Sequence, residues 1–106
     1  MVKTITSDTF ETDVTSSKGV VFVDFFAQWC GPCKVTSPII ETLSEDPTFK
    51  DVTFYELDVD ESPEVSGSYN IFSIPTFIIF KDGKPVSQFV GGRDKSSFEQ
   101  EIKKVM

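Results

Sequence analysis

The chain has 106 residues, enough for one domain, residues 1–106, with its own core and no need of a disulfide scaffold. Hydrophobic residues make up 39% and aromatics 13%, with eleven Phe, a core-forming composition that excludes a disordered chain. Seventeen acids against ten bases and no His give a net charge of −7, and without a Lys/Arg run to displace counterions the chain offers nucleic acid no surface.

Val2 to Ile5 reads as a short strand. Ser7 is placed to cap a helix in which Phe10 and Val14 fall four apart, with Gly19 helping to end it. Val20 to Ala27 is a near-continuous apolar run, as in a strand covered on both faces. From Gly31 a helical pattern sets Val35, Ile39, Ile40 and Leu43 on one side. Pro38 lies inside it and cannot bond the Lys34 carbonyl, which predicts a bend without a stop.

Val52 to Val59 is the next strand, and Glu61 to Tyr69 a weak helix with Pro63 near its start and Gly67 within. Thr76 to Lys81 and Pro85 to Val90 flank Asp82-Gly83, a hairpin signal, so these strands are antiparallel. Asp94 can cap a last helix with Phe98, Ile102 and Val105 as its buried stripe and Glu99 and Lys103 paired on its surface. The β-α-β-α-β-α-β-β-α order implies an α/β fold, a mixed sheet with helices on both faces. Residues 41 to 64 hold nine acids and one base, Lys50, which reads as a solvated face. No apolar stretch is long enough for a membrane span, since the longest are interrupted by Asp24 and Lys81; the start lacks the pattern of a secretory signal, so the expected location is the cytoplasm.

The chemistry is concentrated at Trp29-Cys30-Gly31-Pro32-Cys33-Lys34, which holds both cysteines where a buried strand meets a helix. At the helix N-terminus, unpaired N–H groups and the positive end of the macrodipole favour a thiolate, making Cys30 the nucleophile. Cys33, one turn along on the same side, is expected to lie deeper and to be less acidic, which makes it the resolving thiol. Cys30 attacks a substrate disulfide, and Cys33 then attacks Cys30 and releases the reduced substrate. Gly31 and Pro32 keep the turn tight, and Gly31 leaves room for another backbone.

Other readings of the pair are weaker. A zinc site wants about four N or S ligands, and two Cys without His supply half of that, so no metal is expected. As a structural staple, so short a loop contributes only about 2 kcal/mol. An inert buried pair of thiols fits poorly beside Trp29 and Pro32.

Asp24 is the second informative residue. Alternation alone would turn it to solvent, but the surrounding run is apolar at both parities and places it on a covered face, where desolvation raises a carboxyl's pKa. There it can take the proton from Cys33, directly or through one water.

The residues Val23-Asp24-Phe25-Phe26-Ala27-Gln28-Trp29-Cys30-Gly31-Pro32-Cys33-Lys34, then Pro38, Ile74-Pro75-Thr76 and Gly91-Gly92, resemble the thioredoxin family over essentially the whole chain. The resemblance implies a three-layer sandwich: a central mixed five-stranded sheet flanked by four helices. It implies a monomeric protein-disulfide reductase with no bound cofactor beyond its redox-active Cys30–Cys33 disulfide. Its partners would be disulfide-containing proteins and an NADPH-dependent thioredoxin reductase that recharges it, and its place would be in electron transport and cell redox homeostasis. It also implies a cis Ile74–Pro75 peptide facing the cysteines, and a shallow substrate groove of Trp29, Gly31, Pro32, Ile74, Pro75 and Gly91 in which an extended segment pairs with the Ile74 backbone.

The chain departs from the family at three places. Glu56 stands where many bacterial relatives carry Lys near the buried carboxylate, so a Glu can couple to Asp24. Phe26 replaces a second Trp, and Phe72 and Ser73 before Ile74 are placed to adjust partner choice. No cysteine lies outside the motif, so regulation by extra thiols is not expected. An oxidase or isomerase would favour His within the motif and an export signal, and a glutathione-dependent relative Cys-Pro-Tyr-Cys; this chain has none of these. A further redox-independent binding or scaffold role stays open at this point.

Overall fold

The computed structural model describes residues 1–106. In chain order the elements are β1 (Lys3–Ile5), α1 (Ser7–Phe10) running into a π-helical turn (Glu11–Thr15), β2 (Val20–Phe26), α2 (Gly31–Ser44), a 3₁₀ turn (Pro47–Phe49), β3 (Thr53–Asp58), α3 (Pro63–Ser68), β4 (Thr76–Lys81), β5 (Lys84–Val90) and α4 (Lys95–Lys103). The five strands form one sheet in the order β1-β3-β2-β4-β5. β1, β3 and β2 run parallel, while β4 is antiparallel to β2 and β5 antiparallel to β4.

β2 lies at the centre and is buried from Val20 to Phe25, which is why its sequence shows no polar alternation. Its two parities feed two cores. Val20 and Phe22 join Phe54, Phe77 and Ile79 beneath Ile40 and Leu43 of α2 and Phe98 and Ile102 of α4. Val21, Val23 and Phe25 join Leu57, Ile78 and Phe80 against Phe10 and Val14, with Val65 of α3 and Tyr69 just after it packed alongside. Aromatic edges knit the first core, the Phe77 and Phe98 rings meeting at 4.9 Å and 77°. Asp24 shares the parity of Phe22 and therefore faces α2.

Several local expectations are corrected. Thr6, not Ser7, precedes α1, and it makes no side-chain cap. Ser7 instead ties α1 to α3: its N–H donates to Ser62 Oγ at 3.1 Å and its Oγ accepts from the Val65 N–H at 3.4 Å. Gly19 does not end the helix, which closes at Ser16; its N–H donates to Asp82 Oδ1 at 2.8 Å, pinning the start of β2 to the hairpin.

α2 passes through Pro38 to Ser44, and its buried face is Cys33, Thr36, Ile40 and Leu43. Val35, on the neighbouring ridge, is 70% exposed. On α4 the ion pairs are Lys95–Glu99 at 3.7 Å and Lys104–Glu101 at 3.3 Å, in place of Glu99–Lys103. The Asp94 cap forms as expected, accepting from the Ser97 N–H at 2.9 Å.

Candidate functional site

β2 ends at Phe26, and a short link brings the chain to Cys30, whose extended backbone (φ −84°, ψ 110°) makes it the N-cap of α2. Pro32 falls in the first turn, where its missing N–H costs no helical hydrogen bond. The Cys33 N–H is thereby aimed at Cys30 Sγ, 3.2 Å away. The two cysteines form a disulfide across a Cα–Cα distance of 5.3 Å. A side chain at Gly31 would meet open space, so the surface over the disulfide is unobstructed there.

In exposure the two cysteines do not differ as the sequence suggests: Cys30 is 3% and Cys33 4% exposed. Their surroundings differ instead. Cys33, but not Cys30, lines a cavity of about 420 Å³ that also reaches Asp24, Glu56 and Lys34. Cys30 has the helix N-terminus and a polarised N–H at its sulfur.

Asp24 is 2% exposed, and its Oδ1 has no hydrogen-bond partner. Burial, and secondarily the Glu56 carboxylate beside it, push the Asp24 carboxyl up to about 7. Near neutrality such a group divides between acid and base, as a proton carrier must. No group of three or more His, Cys, Asp or Glu side chains is placed to hold a metal ion, and no helix is long and apolar enough to cross a membrane.

The Ile74–Pro75 peptide is cis, and Ile74 packs against Ala27, Cys30 and Cys33. The Ile74 N–H and C=O make no backbone hydrogen bond within the chain. The Pro75 carbonyl accepts from the Gly91 N–H at 2.9 Å, where Gly91 adopts φ 92°, a conformation that favours glycine. Thr76 Oγ1 steadies the loop by donating to the Ser73 carbonyl. Trp29 is 70% exposed, with its indole N–H donating to Asp60 Oδ2 at 2.7 Å. Gly31 and Pro32 are exposed, Ile74 and Gly91 half-buried, and Pro75 buried.

Sequence reasoning missed three participants. Asp60, which anchors Trp29, was hidden in an acidic run that reads as a solvated face. Asp58, in the same run, is buried and accepts from the Asp60 N–H at 2.9 Å, shaping that anchor. Lys34 lines the cavity from α2, and its place directly after Cys33 was the only available signal.

The family model for thioredoxin matches residues 1–104. The chain is 43% identical over 102 residues to a thioredoxin of Mycobacterium bovis, covering 96% of this chain and 87% of that protein. It is 44% identical over 104 residues to a thioredoxin of Chlamydia muridarum, covering 98% of each. The crystal structure of Malassezia sympodialis thioredoxin superposes with a TM-score of 0.89 at 38% identity, covering 99% of this chain and 90% of that one.

Proposed function

This chain belongs to the thioredoxin family, with its fold and a Cys30–Cys33 redox pair, and from that membership we propose the following working cycle for a protein-disulfide reductase. In the dithiol state Cys30 is the nucleophile. The Cys33 N–H and the N-terminus of α2 stabilise its thiolate, which attacks one sulfur of a substrate disulfide. A Cys30–substrate disulfide forms, and the other substrate sulfur leaves as a thiolate. Asp24, as carboxylate, then takes the Cys33 proton across the shared cavity, directly or through one water. The Cys33 thiolate attacks Cys30 Sγ, closing the Cys30–Cys33 disulfide and releasing the second substrate thiolate. Two electrons have passed to the substrate.

The substrate segment lies extended over Trp29, Gly31, Pro32, Ile74, Pro75 and Gly91 and pairs with the free main-chain groups of Ile74. The dithiol is restored by two electrons from NADPH through a thioredoxin reductase, so the chain works as a shuttle in cytoplasmic electron transport and redox homeostasis, as a monomer of one domain, residues 1–106. The observation that carries this reading is the disulfide at the N-terminus of α2 with Cys33 opening onto the cavity of Asp24.

Insulin-disulfide reduction with NADPH and a thioredoxin reductase tests it. The chain should turn over, Cys30→Ser should abolish turnover, and Cys33→Ser should accumulate mixed disulfides through Cys30. A function that survives both substitutions would mark the chain as a scaffold and contradict the proposal.

A further inference from the structure

Asp24 and Glu56 are register partners on the adjacent parallel strands β2 and β3, and Glu56 is in turn the partner of Thr4 on β1. Register partners present their side chains on one face of a sheet, here the face toward α2. Thr4 Oγ1 donates to Glu56 Oε1 at 2.9 Å, holding that carboxylate in the row. The row Thr4–Glu56–Asp24 thus runs from the sheet edge to its enclosed centre, where Asp24 Oδ1 is unpartnered.

The other charged groups facing the cavity are Lys34 from α2, Asp58 from the end of β3 and Glu61 from the segment after it, with Cys33 on its wall. No ion pair joins Lys34, or any other base, to Asp24 or Glu56. The neighbour in register with Asp24 is therefore an anion with no cation in contact to cancel it.

We propose that Glu56 is a positioning residue: the repulsion of its carboxylate adds to the effect of burial in keeping the proton on Asp24, and so helps to set the pH at which Asp24 can accept the proton of Cys33. The inference rests on the assignment of Asp24 as the proton acceptor. Its physical basis is that two carboxylates on register-paired positions of adjacent strands, with one sealed from water, resist being ionised together. Glu56 is only half-buried while Asp24 is 2% exposed, so the cost of losing water falls on Asp24 and the proton resides there. A cation at position 56 would reverse the effect and ionise Asp24 in more acidic solution.

The test is carbon NMR of the Asp24 carboxyl in the oxidised full-length chain, where no thiol titrates, paired with the acid limb of single-turnover disulfide reduction by the reduced chain. Glu56→Gln keeps the acceptor for Thr4 and removes the charge. It should move the Asp24 midpoint down by at least about half a pH unit, with Glu56→Lys moving it further and the acid limb following both. A midpoint that coincides in the parent chain and Glu56→Gln overturns the proposal. The underlying assignment is checked separately by Asp24→Asn: if that variant leaves the acid limb where it was, Asp24 is not the proton acceptor, whatever Glu56 does to its titration.

Discussion

Asp24 combines near-total enclosure with a missing hydrogen-bond partner, so its charged form is costly in the folded chain and not in the unfolded one. Its folded value near 7 lies above the ordinary 3.8. The folded state therefore holds the proton more tightly, and the linkage destabilises folding as pH rises. No penalty exists below about pH 4; it grows between about 4 and 7 and is complete above about 7, where it amounts to roughly 4 kcal/mol. Asp24→Asn removes the titration. Urea unfolding should find it more stable than the parent chain by a few kcal/mol at pH 8, and the advantage should vanish near pH 4. A gain that does not depend on pH would show that Asp24 is not buried as a titrating acid.

At this same scale the sequence was informative unevenly. Asp24 stood out because it interrupts a run apolar at both parities, a purely local pattern. The Trp29–Asp60 contact spans 31 residues of sequence, and nothing in the composition near Asp60 marks it as a partner.

Among the elements, legibility followed how local the determining chemistry is. The β4–β5 hairpin was readable because a two-residue turn with both residues at positive φ selects Asp-Gly, and Asp82 and Gly83 sit at φ 52° and 84°. The start of α1 was not, because Ser7 bonds across to Ser62, which precedes α3, and to Val65 within it, partners that only the folded chain supplies. Val35 was misjudged because a ridge of four-residue spacing drifts around a helix, and the packed face of α2 follows Cys33, Thr36, Ile40 and Leu43 instead.

Two glycines separate strain from space. A Cβ at Gly83 would both occupy a left-handed conformation and strike the Thr15 backbone. Gly83→Ala should therefore cost at least about 2 kcal/mol in urea unfolding. Gly67, helical and with open space where a Cβ would stand, should gain roughly 0.5–1 kcal/mol as Ala. Equal effects at the two sites would contradict this account of the hairpin's seat on the π-helical turn.

Across the whole molecule, element alternation pointed to a mixed sheet with helices on both faces, but the strand order β1-β3-β2-β4-β5 is a matter of long-range pairing that periodicity does not encode. The consequence of that order is functional. It puts β2 at the centre, so that its end delivers Cys30 to the head of α2 while its interior holds Asp24 on the cavity that Cys33 lines, and it places the loop before β4, with Ile74, against the cluster of Ala27, Cys30 and Cys33.

The proposed cycle requires the N-terminus of α2 to hold Cys30 of the reduced chain as a thiolate at neutral pH. That is read most directly from the rate at which iodoacetamide alkylates Cys30 in the reduced chain as a function of pH. The rate should rise with a midpoint well below the ordinary thiol value of about 8.5, so that at pH 7 Cys30 reacts several-fold faster than free cysteine. A profile that coincides with that of free cysteine would contradict it.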